Sequence, residues 1–186
     1  MSLFYKLAVL MGLVVVVSNY LVQFPIQYFG LKEILTYGAF SYPITFLITD
    51  LANRAYGKFV ARKIVYIGFI IGVLLSLFIS TNFNDIISIR IAIGSGLAFF
   101  VAQNLDIKIF DKLRKKSWYI APLISSVFAS IIDTFLFFSI AFYSTGVPWL
   151  SLAFGDLMVK LFIALSLLIP FRLLLSSIRD VSEIKR

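Results

Sequence analysis

The stretch FSYPITFLITDLANRAYG, residues 40–57, decides how the chain is read. It opens as an apolar helix with Pro43 in its first turns and closes on Asp50, Asn53 and Arg54. At helical spacing Phe46, Asp50, Asn53 and Arg54 share one face. A carboxylate one turn from a guanidinium, just inside an apolar segment, is costly to desolvate, so such a pair turns toward a bundle interior or a watery cavity. The plainer alternative is a helix-end ion pair at the lipid boundary, with Arg54 reaching out to water. Both readings put the segment in a bilayer.

Composition agrees. The chain has 186 residues, 61% hydrophobic and 14% charged, with mean hydropathy +0.99, too apolar for a soluble domain of this size. The length suits a single domain, 1–186, and no Pro/Gly/Ser-rich linker divides it. There is no Cys and no His. Disulfides, thiolate or imidazole metal sites, His-ligated haem and His-based triads are excluded, and no cofactor or metal is expected.

Six apolar segments follow one another, at about 3–23, 37–53, 64–80, 86–105, 118–143 and 150–175, each near the ~20 residues that span a hydrocarbon core. The expected class is an all-α integral membrane protein of six transmembrane helices. Lys6 ahead of the first apolar run resembles a signal peptide, but no A-x-A site follows, so the helix is read as retained. Gly68 and Gly72 in the third segment stand at small-xxx-small spacing, and Gly94-Ser95-Gly96 in the fourth offers another close approach.

Orientation comes from the basic residues. Arg54, Lys58, Arg62 and Lys63 follow the second segment, and Lys108, Lys112, Arg114, Lys115 and Lys116 follow the fourth. Arg172, Arg179, Lys185 and Arg186 close the chain, and Lys6 opens it. Six crossings place these fourteen of the 17 Lys and Arg on one side, so both termini are expected in the cytoplasm. The net charge of +8 is then met by anionic lipid headgroups, and no nucleic acid is needed to explain it.

With that topology, two polar clusters emerge at a rise of ~1.5 Å per helical residue. The outer one is Asn19, Gln23, Tyr42, Arg90, Asp133, Asp156 and Lys160; the inner one is Asp50, Asn53, Arg54, Gln103, Asn104 and Asp106. Asp133 is the most informative residue, because SSVFASIIDTFLFFSIAFY holds no basic group one turn away. It has to be protonated, solvated, or paired with a cation of another helix, for which Lys160 and Arg90 are the candidates. Asp156 and Lys160, an i, i+4 pair, also read as a self-neutralising structural ion pair. Tyr42, Phe46 and the Phe-rich fifth segment also read as ordinary bundle packing.

Several blocks carry a family resemblance: SNYLVQ (18–23), AFSYPITFLITDLANRAYG (39–57), ARK (61–63), RIA (90–92), AQNLDIKIFDKLR (102–114), WYIAP (118–122), SIIDTFLFFSIAF (130–142) and GDLMVK (155–160). Together they resemble the queuosine-precursor transporter family, also called vitamin uptake transporter-like, from Ser18 to about Pro170. The resemblance implies an inner-membrane importer of 7-deazaguanines (7-cyano-7-deazaguanine, 7-aminomethyl-7-deazaguanine or queuine) for tRNA modification. It also implies an arrangement like the substrate-binding component of energy-coupling-factor vitamin transporters.

The residues suit that substrate. Its Watson–Crick edge presents donors that Asp133, or second Asp156, accepts; its carbonyl needs a donor such as Asn19, Gln23, Lys160 or Arg90; its flat face suits Tyr42. Asp50, Asn53, Arg54, Gln103 and Asp106 are then expected to gate or couple transport from the cytoplasmic side. The alternative is a substrate-binding membrane subunit for another small vitamin-like compound, energised by a partner. An intramembrane aspartyl protease is disfavoured because Ala153 stands where a GxGD signature needs Gly. Its two aspartates, Asp50 and Asp156, also fall at opposite depths. A homodimer stays open.

Overall fold

A computed structural model describes residues 3–28, 32, 34–79 and 85–176, with side chains 76, 77 and 79 set aside. Among the described residues the chain is helical, with no strand beyond an isolated bridge between Pro25 and Thr36. The elements are α1 (Leu3–Leu21), α2 (Gly38–Ser41), α3 (Ile44–Tyr56), α4 (Lys58–Ile79), α5 (Ile86–Leu113), α6 (Ile120–Phe142) and α7 (Trp149–Leu175). Four of them, α1, α5, α6 and α7, are long and apolar enough to cross a membrane.

The expected helix at 37–53 is interrupted. Pro43 has no N–H to continue the ladder, so α2 ends at Ser41 and α3 restarts at Ile44. The Thr45 hydroxyl donates to the Tyr42 carbonyl at 2.7 Å across the break. Both Tyr42 and Pro43 keep right-handed helical angles, so the two pieces run on end to end. Gly57 ends α3 at φ 82°, a conformation that favours glycine, and α4 begins at once at Lys58, earlier than the apolar run suggested. Likewise α5 runs on past Leu105 to Leu113.

Close helix contacts fall where the glycines predicted them. Gly68 and Gly72 of α4 lie against Met11 and Val15 of α1; a Cβ on Gly72 would sit 2.7 Å from Val15 Cβ. Gly12 faces Ile71 in return, and Met11, Val15, Ile64 and Val65 are buried along this seam. Gly94 meets Ile140 and draws α5 against α6, the most extensive helix pair among the described residues. Gly155 of α7 has the Ile34 carbonyl where a side chain would be, so Ile34, ahead of α2, lies directly on α7.

Helix ends are held by named groups. Asp85 caps α5, accepting from the backbone N–H groups of Ile87 and Ser88 at 3.1 Å each. Arg90 donates to the carbonyls of Ile140 and Tyr143, both at 2.8 Å, and so closes the C-terminal end of α6.

Candidate functional site

Among the described residues, the largest concentration of buried charge sits between α6 and α7. Asp133 occurs on the face of α6 that already carries Ser126 and Ser130, and α7 brings Asp156 and Lys160 opposite it one turn apart. Lys160 Nζ lies 2.8 Å from Asp133 Oδ2 and 2.6 Å from Asp156 Oδ2. It also donates to Thr134 Oγ1 at 3.1 Å, and Thr134 donates to Asp156 at 2.8 Å. All of these side chains are buried. Tyr42, at the α2–α3 break, presents its ring to the ammonium at 4.9 Å. Of the two expected cations, Lys160 therefore pairs with Asp133, while Arg90 is engaged at the α6 terminus. The same ammonium serves Asp156 as well, so the α7 pair is not self-contained.

The network borders a narrow cavity lined further by Ser18, Asn19, Val22, Gly38, Ser95, Ala98 and Phe137. Ser95 of α5 donates to Asn19 Oδ1, and Ser18 and Ser41 share a hydrogen bond of 2.8 Å. Two polar atoms here are buried with no hydrogen bond of good geometry, Asp133 Oδ1 and Tyr42 Oη, although the phenol lies close enough to Asp133 to interact with it. Two carboxylates against one ammonium give this site a formal charge of −1 when all three are ionised. Its open volume is about 20 Å³, room for a water. A wider recess of about 450 Å³ shares Val22 with the cavity and is lined, among the described residues, by Gln23, Lys32, Thr36 and Asp85.

The outer cluster expected from sequence is thus divided. Asn19, Tyr42, Asp133, Asp156 and Lys160 converge on the cavity. Gln23 lies in the neighbouring recess and donates to the Asn19 carbonyl at 3.2 Å. Arg90 lines neither space.

The second cluster also departs from its expected pairing. Asp50 does not bond Arg54; it accepts from Ser125 and Ser126 at 3.3 and 3.4 Å. Arg54 donates instead to the Arg114 carbonyl at 3.0 Å. Arg114 reaches back to the carbonyl and the side-chain oxygen of Asn53, both at 2.6 Å, while the Asn53 amide donates to the Ile107 carbonyl at 3.1 Å. The carbonyls at the C-terminal ends of α3 and α5, which have no intrahelical partner, take the guanidinium donors. Gln103 donates to Thr45 at 2.9 Å and accepts from Thr49 at 2.5 Å. Asn104 faces outward with Tyr66.

Sequence reasoning passed over Thr134, Ser95, Ser125 and Arg114. Hydroxyls in apolar helices ordinarily bond a carbonyl one turn back, so their presence signals nothing alone. Arg114 was hidden in a run of basic residues that orientation already explained.

Among known proteins, the family described as "Putative vitamin uptake transporter" matches residues 36–175. The Escherichia coli (strain K12) protein named "Queuosine precursor transporter" is 34% identical over 197 residues, covering 92% of this chain and 88% of its own. A Haemophilus influenzae protein named "Probable queuosine precursor transporter" is 36% identical, over 84% of this chain and 79% of its own. A Bacillus subtilis (strain 168) protein of the same name is 31% identical, over 88% and 83%. No solved structure gives a significant match. Matches of this coverage, together with four helices of membrane-spanning length, make this a multi-pass membrane protein. The chain belongs to the vitamin uptake transporter family, in company with the queuosine precursor transporters.

Proposed function

We propose that the protein imports a 7-deazaguanine precursor of queuosine across the cytoplasmic membrane, taking it up in the cavity beside Lys160. The observation that carries this reading is the buried Asp133–Lys160–Asp156 network under the Tyr42 ring, in a chain whose relatives bear that transporter name. Asp133 Oδ1 accepts from the ring N–H and amino groups of the base, Asn19 or Lys160 donates to its carbonyl, and Tyr42 covers its face. The formal charge of −1 suits the cationic 7-aminomethyl compound.

The proposal includes six crossings, arranged as in the substrate-binding component of energy-coupling-factor transporters. α1, α5, α6 and α7 supply four; α2 continued by α3, and the 22-residue α4, supply the others. Both termini are then cytoplasmic. The arginine clasp between Asn53, Arg54 and Arg114 and the Thr45–Thr49–Gln103 bonds close the cytoplasmic end.

The test is queuosine in tRNA, read by boronate-affinity gel shift, in a host lacking both queuosine synthesis and its own importer. Each 7-deazaguanine is supplied at low concentration with the matching downstream enzymes. Expression of this chain restores the modification with at least one compound, and Asp133→Ala abolishes it. No restoration with any compound, despite membrane expression, overturns the assignment.

A further inference from the structure

Asp50 and Asp106 face each other across α3 and α5, within side-chain hydrogen-bonding reach. Both are buried, Asp50 at 2% and Asp106 at 0% exposure. Neither oxygen of Asp106 has a well-placed donor in the protein, and Asp50 has the long bonds from Ser125 and Ser126 alone. The charged groups of the surrounding helices are directed elsewhere. Arg54 and Arg114 hold the α3 and α5 ends, Lys58 pairs with Asp111 at 3.1 Å, Lys160 is held by Asp133 and Asp156, and Arg172 lies over Trp118. Arg62, Lys63, Lys108 and Lys112 make no ion pair with either acid among the described residues.

Two carboxyls in contact, out of water and without a cation, cannot both be ionised, because two long serine bonds do not offset their desolvation and mutual repulsion. A shared proton removes that repulsion and turns one of the two acceptors into a donor to the other. We propose that Asp50 and Asp106 form a proton-binding site that couples proton movement to transport. One carboxylic acid donates its O–H to the opposing carboxylate while the cytoplasmic end is closed. When α3 and α5 part, water enters, the acid gives its proton to that water, and two solvated carboxylates remain.

A polar line joins this pair to the cavity. Ser126 bonds Asp50, Ser130 stands one turn further along α6, buried with an unpartnered hydroxyl, and Asp133 follows. Substrate on Asp133 and proton on Asp50–Asp106 therefore bear on the same face of one helix.

This inference rests on the transport reading above, and the test separates the two. Protein in liposomes loaded with a pH-sensitive dye receives 7-cyano-7-deazaguanine, a neutral probe that carries no charge of its own. Counterflow of the labelled compound without any gradient reports transport alone. The expected result is lumen acidification on substrate addition, and accumulation up to about tenfold for each unit of inward pH gradient. Both are lost in Asp106→Asn. Counterflow with no acidification and no response to the gradient overturns the proposal, as does accumulation driven by sodium instead. Independently of transport, the infrared spectrum of the wild-type protein at neutral pH carries a carboxylic-acid C=O stretch that disappears when Asp50→Asn and Asp106→Asn are combined; its absence from the wild type overturns the proposal even if no variant folds.

Discussion

Asp133 and Lys160 differ in what their removal leaves behind. Lys160 neutralises two acids at 2.8 and 2.6 Å, whereas Asp133 shares its cation with Asp156. Lys160→Met strands two buried carboxylates and is expected to cost about 3–5 kcal/mol, seen as a lowered melting temperature in detergent. Asp133→Asn leaves the ammonium paired and keeps the amide oxygen near it, so only about 1 kcal/mol is lost. Uptake nevertheless falls to background in Asp133→Asn, because with the amide oxygen kept by Lys160 its NH2 stands where Oδ1 accepts from the base, donor against donor. Equal destabilisation by both substitutions would deny Asp133 this separate role. Its partner could not be read from the α6 segment, since the cation lies on α7, 27 residues away.

At the scale of elements, the glycine spacing was legible and its consequence is testable. Gly72 packs against Val15 with no room for a methyl group, while a Cβ on Gly96 would meet nothing nearer than 3.7 Å. Gly72→Ala is expected to destabilise by about 1–3 kcal/mol through overpacking of the α1–α4 seam. Gly96→Ala is expected to be neutral, or to stabilise by about 1 kcal/mol through helix propensity. Thermal unfolding of the two purified variants makes the comparison, and the reverse order would refute the packing described. The break at Tyr42–Pro43 falls at the proline that the sequence places in the first turns of the segment. What the pattern did not foretell is that it carries Tyr42 to the ammonium, since the ring's destination depends on how α3 lies against α7.

At the scale of the molecule, six crossings make a prediction that the natural absence of Cys renders simple to test. Single cysteines at Lys63, Lys112 and Lys115 are expected to react with a membrane-impermeant maleimide only after the cytoplasmic side is exposed. A cysteine at Lys32 is expected to react in intact cells, and labelling of all four positions from one side would break the topology. Class, the expected number of crossings and the expected sidedness came from composition, segment length and the placement of Lys and Arg, because transfer into a bilayer is summed locally along the chain. The choice of residues that would meet a ligand came partly from the same source, since ionised groups in apolar segments are rarely idle. The pairings came only with the tertiary structure. Lys160 rather than Arg90 beside Asp133, Arg114 rather than Asp50 near Arg54, and Asp106 against Asp50 each join different helices or exchange a neighbour for a distant residue. A helix face specifies which side chains share a direction. Which of them touch is decided by the neighbouring helices, and those are placed by close approaches such as Gly68–Met11 and Gly94–Ile140 that no single segment contains.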